Sequence, residues 1–201
     1  MGVSIDLFVS TDVKQSEWEA AYDAALKFVT EFPFMDLASK AMYGYKLTYI
    51  TRTQERFRDG VSYWRAIGDM HTRKYAEDYS LCRQLDKEPD VDSEDVLKVL
   101  LRNEPDKPSA YNMWGNKTQG MPYHTGLLAV ACIIENMLPG NVAVSGDITK
   151  GQLISAAKMA SDVLGREITA PDTCYPEKLY PRIRNMTLLS YSPRSEEHTS
   201  E

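Results

Sequence analysis

Gly115-Asn116-Lys117-Thr118-Gln119-Gly120 and Gly146-Asp147-Ile148-Thr149-Lys150-Gly151 share one pattern 31 positions apart: Gly, then Asn or Asp, any residue, Thr, any residue, Gly. Each copy follows a short strand-like run, Ala110 to Trp114 in the first and Asn141 to Ser145 in the second, and each precedes a helix-like one. In the second copy Thr149 and Gln152 have the spacing of a capping box, in which each side chain satisfies the other residue's backbone donor. Leu153, Ala156, Ala157, Ala160 and Leu164 then recur at helical spacing, and Gly165 suits the left-handed conformation that ends a helix. In the first copy Pro122 fits an opening turn and Leu127 to Leu138 supply the helix. Two strand-loop-helix units in series predict a parallel strand pair joined by a right-handed crossover, with both loops side by side at strand carboxyl ends.

Upstream, Val3, Ile5, Leu7 and Val9 alternate with Ser4, Asp6 and Phe8, the period of a strand. Ser16 and Glu19 resemble a capping box ahead of Trp18, Tyr22, Ala25, Leu26 and Val29, an apolar stripe that Pro33 ends. Lys46 to Gln54 and Val61 to Gly68 are rich in β-branched and aromatic residues, and Arg58-Asp59-Gly60 supplies the turn of a β-hairpin. His71 to Leu85 reads as helical. A second helix is expected to start at Asp92 as N-cap, with Asp95 at N3, a Val91 to Val96 staple, and Leu97, Leu100 and Leu101 on its buried face. The whole is a mixed α/β or α+β chain: a strand-helix opening, a central hairpin, then two strand-loop-helix units contributing a parallel pair.

The chain has 201 residues, a formal charge of −6 and 43 % hydrophobic content, ordinary for a globular protein and without global attraction to nucleic acid or anionic membrane. The longest apolar window, Leu127 to Leu138, is interrupted by Glu135 and Asn136 and is too short to span a bilayer. The start lacks the basic region of a secretory signal. Cys82, Cys132 and Cys174 are odd in number and widely spaced, which favours reduced thiols and a bacterial cytoplasm. Arg194-Ser195-Glu196-Glu197-His198-Thr199-Ser200-Glu201 matches, codon for codon, the translated start of a common short-read sequencing adapter. Those eight residues are expected to be non-native, leaving residues 1–193 as a single α/β domain of a metagenomic fragment that continues beyond Pro193.

Loops at the carboxyl ends of strands are where open α/β sheets bind ligands, and free amides at a helix start attract anions. On that reading Asn116, Lys117, Thr118, Asp147, Thr149 and Lys150 would hold a phosphate or carboxylate, with Asp147 or His124 as the catalytic base. A plainer reading weighs more: Gly, Asn, Asp and Thr are what strand-to-helix turns require. Both loops have the Gly-x-x-x-x-Gly skeleton of a P-loop, but Met121-Pro122 and Gln152-Leu153 stand where Lys followed by Ser or Thr is needed. No metal-ligand spacing, serine-hydrolase elbow or cofactor motif is legible, and the acidic run Asp86 to Asp95 lacks the central Gly of a calcium loop. Lys46 to Lys74 gathers basic and aromatic residues, yet Glu55, Asp59 and Asp69 interrupt it and the aromatics suit sheet packing better than nucleic acid.

Trp114 to Gly120, Pro122-Tyr123-His124 and Ser145 to Gln152 resemble the corresponding stretches of a bacterial protein family of unknown function. That resemblance implies no activity. The expected role is a soluble binding protein for a protein partner or small anionic ligand, without catalysis; the alternative is an enzyme acting on a phosphorylated or carboxylate substrate at the repeated loops.

Overall fold

A computed structural model describes residues 2–31, 36–37, 49–50, 53–69, 74–87, 91–92 and 110–180. β1 (Ser4–Ser10) turns Ile5, Leu7 and Val9 into the core, where all three are fully buried, while Ser4, Asp6 and Phe8 stay half exposed on the other face. α1 (Gln15–Glu31) follows and buries Trp18, Ala21, Tyr22, Ala25, Phe28 and Val29. Its start lies one residue before the expected capping box. The Glu17 carboxylate reaches back to the Lys14 amide at 3.0 Å, and Glu19 accepts instead from the Gln15 side chain at 2.8 Å, so Ser16 falls inside the first turn.

Short strands β2 (Asp36–Leu37) and β3 (Tyr49–Ile50) pair antiparallel. β4 (Arg56–Arg58) and β5 (Val61–Asp69) form the expected hairpin through Asp59 and Gly60, at φ 53° and 83°. Two consecutive positive φ values define the turn that matches strand twist, which is why Asp-Gly stands there. The first arm is Arg56–Arg58 rather than Lys46 to Gln54; of that earlier run, 46–48 and 51–52 lie outside the described residues.

The helix expected over His71 to Leu85 is a strand, β6 (Lys74–Cys82), paired antiparallel to β5. Tyr79 and Leu81 are buried at a spacing of two, and a nine-residue β5 with Trp64 and Ala66 facing the core needs a hydrogen-bonding neighbour on that side. Residues 71–73, His71 included, lie outside the described residues. Asp92, expected as a helix N-cap, belongs to β7 (Val91–Asp92), which pairs with Tyr111 and Ala110; the remainder of that expected helix, 93–101, is likewise outside them.

The second half carries β8 (Ala110–Lys117), α2 (Tyr123–Met137), β9 (Val142–Gly146) and α3 (Lys150–Leu164). α2 buries nearly all of its length from Tyr123 to Glu135, because it packs against both α1 and α3. The predicted α3 features are all present: the reciprocal Thr149–Gln152 capping box, and Gly165 at φ 66° as the C-cap.

The predicted parallel pair is not formed. The four-stranded sheet has the order β7-β8-β1-β9, and β1 is antiparallel to both neighbours. β8 and β9 therefore run in the same direction but are separated by β1, whose apolar face supplies the centre of the sheet. The fold is α+β; the described residues form a four-stranded, a three-stranded and a two-stranded antiparallel sheet.

The four-stranded and three-stranded sheets meet along β6, an edge strand of the order β4-β5-β6. Its carbonyls are covered by side chains from other elements: Trp18 Nε1 donates to Cys82 O at 2.9 Å, Trp114 Nε1 to Ser80 O at 2.8 Å, and Tyr123 Oη to Glu77 O at 2.8 Å. Asn116 Nδ2 donates to Asp78 O at 2.5 Å. Covering an edge in this way protects it from adventitious strand pairing. Behind these bonds Trp64, Trp114, Tyr79 and Tyr123 stack edge to face, with centroids 5.3 to 6.3 Å apart. Gly68, at φ 86°, leaves room for the Tyr123 ring, which a Cβ would meet at 2.7 Å.

Candidate functional site

The two repeated loops do come together, at the end of the sheet where β8 and β9 finish and β1 begins. The Val3 carbonyl accepts from the amides of Thr118 at 2.8 Å and Gln119 at 3.1 Å, and the Thr118 hydroxyl lies 3.2 Å from it. From the opposite side Asp147 forms a reciprocal pair with Ser4: its amide donates to Ser4 O at 3.2 Å, and its carboxylate accepts from Ser4 N at 3.2 Å. The loops thus clasp the first strand.

The two copies of the motif are not equivalent. Gly115 lies within β8 opposite Asp6, whereas Gly146 closes β9 at φ 128°, where a Cβ would meet Ser4 O at 2.5 Å. Thr118 is fully buried in a turn with Gln119 and Gly120 at φ 55° and 69°, and the Met121 amide returns to Thr118 O at 3.0 Å. Thr149 is exposed and caps α3. The same letters perform different tasks because α2 starts five residues after its threonine and α3 starts directly after its own.

Most of the expected ligand-binding groups are engaged within the fold. Asn116 is bound to Asp78 and receives the Tyr79 hydroxyl at its carbonyl. The Lys117 amide donates to Glu77 at 2.8 Å, and the Lys150 ammonium sits 5.6 Å from the centre of the Tyr175 ring. Thr118, Asp147 and Thr149 act as already described.

Two carboxylates dominate the electrostatics of this end. Asp6 projects from the outer face of β1, accepts from Ser145 Oγ at 3.3 Å, and has its pKa raised by burial and further by the nearby Asp147 charge, against the lowering effect of that hydrogen bond.

His124 lies on the inner side, in the first turn of α2, and is 2 % exposed. Its Nδ1 is 2.7 Å from Thr118 Oγ1, and its Nε2 has no hydrogen-bond partner among the described residues. Burial lowers its pKa, opposed by attraction to Asp147. The ring is therefore neutral at neutral pH, and it is enclosed rather than presented to a substrate.

No family model, curated protein or solved structure matches the chain.

The fold and surface alone therefore guide the reading. Among the described residues no group of three or more acidic, His or Cys side chains is placed to hold a metal ion, and no helix is long and apolar enough to cross a membrane. Of the basic and aromatic run, Trp64 is buried in the core and Arg65 pairs with Asp78 at 2.8 Å; just beyond it, Arg83 is held by Asp23 and Glu55, both at 2.9 Å. Among the described aromatics of the run the exposed one is Phe57, at 73 %, beside Arg58 on the hairpin tip. Sequence reading assigned Phe57 to sheet packing. The signal that identifies it as outward is the Asp-Gly turn two residues later, which fixes the register and leaves β4 only three residues long.

Proposed function

We propose that this chain is a binding protein that engages a protein partner and performs no chemistry. The observation that carries the proposal is the hairpin tip, where a 73 % exposed Phe57 stands next to an Arg58 whose side chain is 78 % exposed. The Asp59 carboxylate, 3.2 Å from Arg58 and itself 86 % exposed, holds it weakly. Aromatic and arginine side chains are the types that most often dominate interface energetics. The inward hydrogen bonding of the repeated loops supports the same reading, because Thr118, Asp147 and Thr149 secure β1 and α3 instead of converging on a common point in solvent. A cytoplasmic setting belongs to the proposal: Cys132 and Cys174 are thiols, with burial pushing Cys174 up to about 11.

Quantitative affinity enrichment with the full chain and with Phe57→Ser tests the reading. A protein retained by the wild type and depleted at least about tenfold by the substitution is the expected result, equivalent to roughly 1.4 kcal/mol of interface energy. Identical retention by both proteins would refute the tip as the interface. In parallel, a thermal-shift panel of nucleotides, sugar phosphates and divalent cations is expected to give no shift. A shift that disappears in Asp147→Asn and Lys150→Ala would replace the proposal with a small-ligand site at the loops.

A further inference from the structure

We propose that the Thr118–His124 contact is a pH-sensitive latch, in which protonation of the buried imidazole loosens the clasp around the first strand. The geometry is specific. Val3 O already accepts two backbone amides, at 2.8 and 3.1 Å, which occupy both of its lone-pair directions. The Thr118 hydroxyl can donate to that carbonyl at 3.2 Å or to His124 Nδ1 at 2.7 Å, and the latch takes the shorter contact, with the proton directed to the imidazole. That places the ring hydrogen on Nε2, which is buried without an acceptor among the described residues.

Adding a proton makes Nδ1 a donor as well. Thr118 Oγ1 must then accept, and its own hydrogen is forced toward the already saturated Val3 carbonyl. The new positive charge sits in a site 2 % exposed, where an unpaired ion is costly. Moving Thr118 off Val3 and letting water reach the ring relieves both problems. Thr118 is also the residue whose amide holds Val3, so the ring's relaxation and the opening of the clasp are one movement.

Charged groups at this end act on the ring unequally. Asp6 on β1, Lys117 on β8, Glu77 on β6 and Asp147 before α3 all lie near the clasp, while Lys27 and Glu31 at the end of α1 are exposed. Burial lowers the imidazole pKa and outweighs the opposing attraction of Asp147. The ring thus binds its proton less readily in the fold than in the unfolded chain. Stability from this group is complete above the unfolded value of 6.5 and falls as pH drops below it.

Nuclear magnetic resonance of the intact protein, labelled at histidine and at backbone amides, tests the latch. The His124 ring is expected to remain neutral below pH 6.5, while protection at Thr118 and Gln119 falls from that pH and levels off at the ring's own midpoint. That loss should approach tenfold for each pH unit between the unfolded and folded midpoints. In His124→Gln, which keeps a neutral hydrogen-bonding side chain, protection at the same amides should not change between pH 7.5 and 5.5. Should His124→Gln fail to fold, the wild-type titration decides alone. A His124 midpoint at or above 6.5, or protection that ignores its titration, would overturn the proposal.

Discussion

Gly115 and Gly146 occupy the same place in the repeated motif, yet the fold makes different demands of them. At Gly146 the backbone adopts φ 128°, a region that side chains rarely enter, and a Cβ would press on Ser4 O at 2.5 Å. Gly146→Ala is expected to lose about 1 to 3 kcal/mol in denaturant unfolding. Gly115→Ala, whose Cβ would meet nothing closer than 3.9 Å, should stay within about 0.5 kcal/mol. Equal losses would mean that the two copies are structurally alike after all. Asp6 offers a second test. Its raised pKa means that the fold prefers the neutral acid, so its contribution is most favourable below the ordinary value of 3.8 and declines as pH rises through the folded midpoint. Asp6→Asn, still able to accept from Ser145, should therefore gain about 0.5 kcal/mol near pH 7, a size set by solvent screening, and lose that advantage below pH 4. The sequence singled out Thr118 and Asp147 as ligand-binding groups, and their hold on β1 was not legible, since Thr118 and Thr149 differ only in how far away the next helix begins.

The ends of α3 and the Asp-Gly turn were the most legible features because their chemistry is local, whereas the Ser16–Glu19 box and the Asp92 N-cap did not hold. The Thr149–Gln152 box, the Gly165 stop and the Asp59-Gly60 turn each depend on residues within four positions of one another. Thr149→Ala should cost about 1 kcal/mol, read as a lower denaturation midpoint, with Thr149→Asn restoring most of it. Strand partners were less legible. Over His71 to Leu85 the apolar residues fit a helix as well as a strand, and the choice is made by β5, which presents backbone groups to β6 from outside the segment. The order β8-β1-β9 was hidden for the same reason: nothing within β8, α2 and β9 reveals that β1 is inserted between the two strands. The covering of β6 gives this element its own prediction. Trp114→Phe preserves the edge-to-face stack with Tyr79 but leaves Ser80 O without its donor, and should cost about 1 to 2 kcal/mol. No loss of stability would show that water replaces the indole at no cost.

At the scale of the molecule, the four-stranded sheet, the three-stranded sheet and helices α1 to α3 share one core. A single cluster of buried residues runs from Ile5 and Leu7 on β1 through Trp18 on α1, Trp64 on β5, Tyr79 on β6 and Trp114 on β8 to Leu128 on α2 and Leu153 on α3. No apolar break separates the three-stranded sheet from the four-stranded one, and donors from α1, α2 and β8 bind β6 across the joint. Pulling the sheets apart would expose Trp64 and Trp114 together and strip β6 carbonyls, those of Ser80 and Asp78 first, of their β8 partners. Partial unfolding at the joint therefore has no inexpensive intermediate, and the protein should unfold in one cooperative transition. All three tryptophans in the chain report on it, since Trp18, Trp64 and Trp114 are each no more than 2 % exposed. Tryptophan fluorescence, which senses the joint, and far-ultraviolet circular dichroism, weighted toward the helices, should give superimposable urea curves. If fluorescence shifted at a lower urea concentration than the helical signal, the hairpin sheet would be a separate unit and the β6 bonds a contact between two folded bodies. Trp18→Phe sharpens the distinction: in a cooperative protein both curves move by the same amount, whereas in a divided one the change is confined to a single transition.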